Sequence, residues 1–191
     1  MILRIDHVSL AVRDYPKARA FFDTLFGAVP GASATVDSTR YHWQIMSVGD
    51  LSRLELLTPT GHGSFLDGFL RNKEGGVHHI TFQTSDIKET RRQLDEMGVP
   101  YFGYNEYPGG VWNELFIHPK DAFGVLIQIA EFTAQDWLNS SLALEDGKKY
   151  TVTATDTGAE LTFAHPGGGT VTVALDKSEL ESLVKELSKT I

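Results

Sequence analysis

The sequence predicts an α+β fold in which a β-α-β-β-β module occurs twice and a small β-β-β-α extension follows. The main observation is an internal repeat, since residues 5–14 (IDHVSLAVRD) align with residues 77–86 (VHHITFQTSD). The alignment pairs His7 with His79, and in both segments a closing aspartate precedes apolar residues at helical spacing. After Phe132 the pattern changes to short alternating segments and a final helical stretch.

The first module begins with a strand, and its helix follows an N-cap at Asp14 with Pro16 in the first turn. Apolar residues then recur at helical spacing: Ala18, Phe21, Phe22, Leu25 and Phe26. The stretch 27–30 (GAVP) is a helix stop. Strand-like sequence then runs over residues 41–48 and 53–58.

The second module repeats this order. Asp86 and Glu89 resemble a capping box at the start of its helix. The helical set is Ile87, Thr90, Leu94 and Met97. Residues 98–100 (GVP) end the helix, and strand-like sequence runs over residues 114–118 and 125–130. Residues 101–112 between them are rich in aromatics and glycine, which suits a loop that closes over a substrate and equally an ordinary connection.

These patterns divide the chain into a main domain over residues 1–132, a connector over 133–149 and an extension over 150–191. The extension alternates as strands over three short stretches, separated by turns at 156–158 and 166–169. The stretches are residues 150–155, 160–165 and 170–175. A capping pattern from Ser178 to Glu181 precedes a final helix whose apolar face is Leu180, Leu183, Val184 and Leu187. We expect this unit to pack on the main domain or on a second subunit, because it is too small for a large core of its own.

Composition narrows the classes of function. The chain has a formal net charge of −8 and no long basic run, which argues against nucleic-acid binding. No apolar run is long enough to cross a bilayer, and no signal-peptide pattern precedes the first strand. The absence of cysteine excludes disulfides, thiolate metal sites and thiol nucleophiles. We expect a cytoplasmic protein that binds neither nucleic acid nor membrane.

The adjacent histidines 78 and 79 raise the question of which one faces a functional site. Neighbouring side chains of a strand point to opposite faces, so at most one of them can face a given cavity. The repeat selects His79 as the partner of His7 and leaves His78 on the other face.

Two further polar residues follow the repeated histidines at nearly equal distances. Glu55 and Gln128 are each flanked by aliphatic residues on a strand expected to be buried, where an unpaired carboxylate is costly. A single strand histidine is usually structural, but equivalent placement in both modules brings His7, Glu55, His79 and Gln128 to one place. Two imidazoles, a carboxylate and an amide oxygen suit one divalent first-row metal ion.

At these residues the chain resembles the vicinal oxygen chelate (glyoxalase, bleomycin-resistance and dioxygenase) superfamily, and within it the methylmalonyl-CoA epimerases. The resemblance covers about residues 4–132. It depends on the segments IDHV (5–8), ELLTP (55–59), SFLDGFL (64–70), GVHHI (76–80) and HPKDAFGVLIQ (118–128).

The resemblance implies a curved mixed sheet around a metal ion, with His7, His79 and Glu55 at ligand positions. The ion in related isomerases is cobalt, manganese, nickel or zinc. Related epimerases carry glutamate where this chain has Gln128, and some carry glutamine at the position of Glu55. The chain therefore resembles a version in which the two halves have exchanged these residues.

The implied reaction is epimerisation, in which a proton next to a carbonyl is removed and returned through a metal-chelated enolate. Glu55 and Glu114 are the expected catalytic carboxylates. Related epimerases also supply a glutamate from a middle strand of the first half, where this chain offers only His42 or Gln44. Glu114, on the equivalent strand of the second half, is the preferred replacement base, and a solvated strand end is its structural alternative.

The expected substrate is a small acyl or CoA-type compound, and the expected assembly is a homodimer. One alternative is an Fe(II)-dependent dioxygenase of the same fold, because two histidines and a carboxylate also form a facial triad. Another is a metal-free small-molecule binding protein of the resistance type, which does not need the ligand positions.

Overall fold

The computed structural model describes residues 1–49, 52–145, 147–165 and 167–190. The main sheet consists of β1 (Ile2–Val12), β2 (Val29–Val36), β3 (Tyr41–Val48), β4 (Ser52–Pro59), β5 (Gly75–Thr84), β6 (Phe102–Glu106), β7 (Asn113–Ile117) and β8 (Ile127–Glu131). Pro166, in a predicted turn, and Ile191, at the end of the predicted extension, lie outside the described residues.

These strands form one mixed sheet in the order β2-β3-β4-β1-β5-β8-β7-β6. At its centre β1 pairs antiparallel with β5, and the parallel pairs β1–β4 and β5–β8 flank this junction. The first four strands and the last four are therefore equivalent halves, related by a pseudo-two-fold axis between β1 and β5. The predicted duplication of the module and the mixed sheet are confirmed.

The strand after each helix, β2 and β6, had no residues assigned to it from the sequence. β2 contains Pro30 and Gly31, both poor strand formers, so its pattern resembles a turn. β6 and a 3₁₀ turn (Pro108–Gly110) occupy most of the segment 101–112, which the sequence indicated to be a loop. In both places the pairing with a neighbouring strand overrides a weak local preference.

The two long helices, α1 (Tyr15–Phe26) and α3 (Ile87–Met97), begin and end where the sequence predicts. A short α2 (Asp67–Leu70) lies between the modules. The side chain of Asp14 accepts a hydrogen bond from the backbone N–H of Lys17, and that of Asp86 accepts one from Glu89. Each helix stops at a left-handed glycine, as the Gly-Val-Pro pattern of the second module indicated.

The helices cover one face of the sheet and leave the other for the site. Residues of α1 pack with Leu56, and residues of α3 pack with Ile129. Leu56 and Ile129 directly follow Glu55 and Gln128 in their strands, and successive strand residues point to opposite faces. The polar pair therefore points away from the helices.

The extension consists of β9 (Tyr150–Ala154), β10 (Gly158–Ala164), β11 (Thr170–Asp176) and α4 (Lys177–Leu187). Its strands form a second sheet in the order β11-β10-β9. The capping pattern that the sequence indicated from Ser178 to Glu181 is wrong by two residues. The capping box joins Asp176 and Glu179, because extended Asp176 ends β11 and places its carboxylate over the first turn of α4.

Among the described residues, no helix has the length and apolar character needed to cross a membrane.

Candidate metal centre and its cavity

Four polar side chains meet at the centre of the sheet, one from each of the strands β1, β4, β5 and β8. They are His7, Glu55, His79 and Gln128, called the polar cluster below. Oε2 of Glu55 lies 3.8 Å from Nε2 of His7 and 3.6 Å from Nε2 of His79. Oε1 of Gln128 lies 3.1 Å from Nε2 of His79. The ligand atoms of the two histidines and Glu55 all lie within 4.8 Å of one another, as atoms around one ion must.

Two buried hydroxyls, which the sequence analysis did not single out, complete this arrangement. Ser9 Oγ lies 2.5 Å from Oε2 of Glu55 and 2.8 Å from Nε2 of His79. Thr81 Oγ1 lies 2.6 Å from Oε1 of Gln128 and 2.9 Å from Nε2 of His7. Ser9 and Thr81 each stand two residues after a cluster histidine, so strand periodicity alone puts them on the same face. That spacing, repeated in both modules, is the signal that could have identified them.

The donor set fits a cation, because the two hydroxyl protons point to oxygen atoms and not to the histidine nitrogens. Each hydroxyl carries one proton, and that proton is directed to the oxygen of Glu55 or Gln128. Each hydroxyl oxygen then turns its lone pairs toward a histidine Nε2, that of Ser9 toward His79 and that of Thr81 toward His7. Two nitrogens with a carboxylate and an amide oxygen are ligands that divalent first-row metals accept.

Paired β-bulges position the two histidines. The register between β1 and β5 skips Asp6 on one side and His78 on the other. Each bulge turns the skipped side chain toward the histidine that follows it. Oδ2 of Asp6 lies 2.7 Å from Nδ1 of His7, and Nδ1 of His78 lies 2.9 Å from Nδ1 of His79. His78 contributes no ligand atom, as expected, but it does not simply face away from the site.

Burial shifts the pKa values of His79 and Glu55 in opposite directions. It lowers the pKa of His79 well below its ordinary value, and His7 and His78 lower it further. The ring of His79 is therefore neutral near pH 7, with a lone pair available for a ligand. Burial also raises the pKa of Glu55, against the opposing effects of His7 and of the hydrogen bond from Ser9. A cation beside Glu55 would offset that cost of burying the carboxylate.

Glu114 is buried beside the cluster rather than solvated at a strand end. Its carboxylate accepts hydrogen bonds from Nε2 of Gln128 at 2.6 Å, Nε1 of Trp112 at 2.8 Å and the hydroxyl of Tyr107 at 3.2 Å. Because Gln128 donates through its amide nitrogen to Glu114, its amide oxygen is directed at His79 and Thr81. Glu114 therefore fixes the orientation in which Gln128 faces the cluster.

His42 and Gln44, considered as proton carriers of the first half, lie on the wrong face of β3. Gln44 accepts a hydrogen bond from the hydroxyl of Tyr15 and donates one to the carbonyl of Gly31, on the side of α1. His42 contacts Thr35 at 3.1 Å. Strand alternation instead turns the odd-numbered residues of β3 toward the site.

A cavity of about 500 Å³ opens above the cluster. Its floor includes His7, Glu55, Gln128 and Glu114, and much of its wall is aromatic. The aromatic residues that line it are Tyr41, Trp43, Phe65, Tyr107, Trp112, Phe116, Phe132 and Trp137. Trp137 comes from the connector, so the segment beyond the duplicated modules also shapes the site.

Comparison with known proteins gives a consistent result. The family model described as the Glyoxalase/Bleomycin resistance protein/Dioxygenase superfamily matches residues 6–111. The ethylmalonyl-CoA/methylmalonyl-CoA epimerase of Cereibacter sphaeroides is 35% identical over 134 residues, which cover 69% of this chain and 99% of that protein. The mitochondrial methylmalonyl-CoA epimerase of Bos taurus is 32% identical over 130 residues, covering 67% and 74%.

Solved structures show the same relationship. The methylmalonyl-CoA epimerase of Mycobacterium tuberculosis superposes with a TM-score of 0.62 at 27% identity, over 69% of this chain and 89% of that one. A variant of the Streptomyces coelicolor methylmalonyl-CoA epimerase, solved with 2-nitronate-propionyl-CoA, gives a TM-score of 0.62 at 26% identity. That superposition covers 70% of this chain and 100% of the other.

Proposed function

Because the chain belongs to the glyoxalase, bleomycin resistance protein and dioxygenase superfamily, and several of its relatives are methylmalonyl-CoA epimerases, we propose that it is a metal-dependent epimerase of an acyl-CoA. The observation that carries the proposal is the polar cluster at the floor of a largely apolar cavity, with Glu114 beside it. The reaction removes the proton on the carbon next to a carbonyl and returns a proton to the other face of that carbon.

The polar cluster is the proposed holder of one divalent ion, through His7, Glu55, His79 and Gln128. Cobalt, manganese, nickel and zinc all accept this mixture of nitrogen and oxygen ligands. When bound, such an ion supplies Lewis-acid stabilisation of the negative charge that develops on a substrate oxygen. Asp6 and His78 lie against the Nδ1 atoms of His7 and His79 and so hold the two imidazoles in place.

Glu114 is the proposed base. A carboxylate offers about four lone-pair positions, and the three hydrogen bonds that Glu114 accepts leave one for a substrate proton. In the step, the carboxylate takes the proton, and the electron pair of the C–H bond moves toward the neighbouring carbonyl oxygen. Glu55 is the other proposed catalytic carboxylate. It lies in the first half of the sheet and Glu114 in the second, and both line the cavity.

The test is exchange of the substrate's α-hydrogen. Racemic methylmalonyl-CoA is incubated in D₂O with protein loaded with Co²⁺, Mn²⁺, Ni²⁺ or Zn²⁺, and deuterium incorporation is followed by NMR. We expect exchange with at least one ion, and a loss of about 100-fold in Glu114→Gln, the usual effect of removing a general base. Absence of exchange with all four ions would overturn the assignment.

Two other readings have less support. An Fe(II) dioxygenase would consume O₂, and the amide oxygen of Gln128 stands where the site would need an open position. The relatives and solved structures reported above are epimerases. A metal-free binding protein would have no use for four converging ligand groups with two positioned imidazoles.

A homodimer is part of the proposal. Phe21, Leu25 and Phe26 on α1 are each at least half exposed, and contiguous apolar surface of this kind is typical of interaction sites. Sedimentation analysis should give a dimer that Phe21→Glu weakens. A monomer at all concentrations would remove this part of the proposal and leave the proposed activity standing.

A further inference from the structure

The connector is locked onto the main sheet at β2. A Cβ atom on Gly31 would collide with the carbonyl oxygen of Trp137, so only glycine permits this approach of the two backbones. Asn139 adds a hydrogen bond of 3.1 Å to the carbonyl of Pro30. The 3₁₀ turn of the connector (Ala134–Trp137) therefore has a fixed place against the edge of the first module.

The extension holds the connector from the other side. The side chain of Gln135 accepts a hydrogen bond from the backbone N–H of Gly169 at 3.2 Å. The buried guanidinium of Arg53 donates to the carbonyls of Ala134 at 3.4 Å and Gly167 at 3.3 Å, and it also pairs with Asp6. Arg53 thus joins the connector and the extension to the carboxylate that orients His7.

This anchoring places Trp137 in an aromatic wall of the cavity, formed with Trp43, Trp112 and Phe132. The ring of Trp137 lies 5.3 Å from that of Trp43 and 4.9 Å from that of Trp112, between centroids. Trp112 stacks on Phe132 at 4.4 Å. Three rings come from the main domain and the fourth from the connector. The matching family model ends at residue 111, well before the connector.

The aromatic wall adjoins the proposed base, since Nε1 of Trp112 donates to Glu114. A substituent on the carbon that loses its proton to Glu114 must therefore lie close to the wall. A methyl group covers little of such a surface, whereas a larger apolar substituent removes more apolar area from water and so binds more tightly. The aromatic wall is large and apolar enough to bind a ring or a branched chain.

We infer that the aromatic wall, completed by Trp137 of the connector, binds the α-substituent of the substrate and selects acyl-CoA thioesters whose substituent is a branched alkyl or aromatic group larger than methyl. This inference rests on the proposed function for the location of the reacting carbon. Trp137 is a specificity-determining residue in it, and Gly31 positions that residue.

The tryptophans provide a direct measurement of binding. All three tryptophans of the chain line the cavity, so intrinsic fluorescence reports an occupant without any turnover. Racemic methylmalonyl-CoA, isobutylmalonyl-CoA and benzylmalonyl-CoA are titrated into metal-loaded protein, and α-hydrogen exchange is followed for each. We expect the benzyl compound to bind at least 10-fold more tightly than the methyl compound and to have the higher kcat/KM.

Two variants and a control test the wall itself. Trp137→Ala removes the fourth ring, and Gly31→Val displaces the connector that carries it. Both should lower the benzyl-to-methyl ratio of affinities at least 10-fold, whereas Trp137→Phe, which keeps a ring, should lower it less. Asp136→Ala, an exposed neighbour in the same turn, is the matched control and should keep the ratio of the parent protein.

The outcomes separate the two proposals. Preference for methylmalonyl-CoA, or equal losses for all three thioesters in Trp137→Ala, would overturn the inference about the wall. If no thioester exchanges its α-hydrogen but the benzyl compound still binds preferentially through Trp137, the proposed reaction fails and the wall remains a binding site.

Discussion

Asp6 and His78 occupy the same place in the two halves of the sheet, each in a β-bulge and each against the Nδ1 atom of the histidine that follows it. The two halves share the same geometry at these positions, but the side chains differ in their chemistry. Asp6 is an acceptor tied to Arg53, whereas His78 packs between the rings of Phe65 and Phe69. Burial lowers the pKa of His78, so a neutral imidazole orients His79.

His78→Ala should weaken divalent metal binding by about 10–100-fold, the usual effect of removing an orienting partner of a ligand histidine. Isothermal titration with Zn²⁺ or Co²⁺ measures this directly. His62→Ala, at an exposed loop position, is the matched control and should bind like the parent protein. Equal affinities of the His78 and His62 variants would show that His78 does not position His79.

His79→Ala should abolish stoichiometric metal binding, because it removes one of two nitrogen ligands from the polar cluster. Elemental analysis of the purified variant beside the parent protein gives the result. A variant that keeps about one ion per chain with unchanged affinity would mean that the ion is bound elsewhere.

Exchanging Glu114 and Gln128 tests whether the catalytic carboxylate can stand on β8 instead of β7. The two side chains share a hydrogen bond of 2.6 Å, so the double variant Glu114→Gln with Gln128→Glu keeps both the charge and the contact. We expect it to recover part of the α-hydrogen exchange that Glu114→Gln loses. Exchange no faster than in the single variant would indicate that the base must stand at position 114.

Arg53→Leu should lower the free energy of unfolding by about 1–3 kcal/mol, because it removes the buried partner of Asp6 and leaves Arg4 as the remaining arginine at that carboxylate. Hydrogen exchange should rise in residues 134–138 and 167–169, because Arg53 holds the carbonyls of Ala134 and Gly167 at the start of these two segments. Arg19→Gln breaks an exposed pair with Asp23 and should change stability by less than about 1 kcal/mol. If Arg53→Leu and Arg19→Gln are equally mild, the connector is held by other contacts.

Tyr41 should make the folding stability of the protein decrease at alkaline pH. Burial first, and then Glu55 and Glu114, raise the pKa of Tyr41 above the ordinary value of 10. Above pH 10 the unfolded chain releases this proton while the folded chain retains it, so stability falls as pH rises. Tyr41→Phe should unfold with a shallower dependence on pH in denaturant titrations between pH 9 and pH 11. An identical slope in both proteins would contradict this account.

The repeat and the two-residue period of a strand were enough to bring His7, Glu55, His79 and Gln128 together from sequence. The same period would have added Ser9 and Thr81. It could not give the roles of Asp6 and His78, because a bulge breaks the alternation from which faces are inferred.

The position of the connector could not be predicted from local sequence patterns, for a different reason. Nothing near Trp137 in sequence indicates that its ring enters the cavity, because that depends on Gly31, about a hundred positions earlier. His42 and Gln44 were considered for their chemistry, and the register of β3 decides against them. Contacts between residues distant in sequence determine the positions of these side chains, which composition and spacing alone do not predict.

The two halves differ in charge at equivalent positions around the cluster. Asp6 is matched by His78, Glu55 by Gln128, and Trp43 on β3 by Glu114 on β7. A ligand that presents two similar oxygens to a symmetric pocket could enter either way round, and its two ends would be treated alike. In this chain the two orientations would bring each end of the ligand to different groups, so we expect them to differ in energy. Duplication produced the equivalent positions, and the sequence differences between the two halves make the site asymmetric.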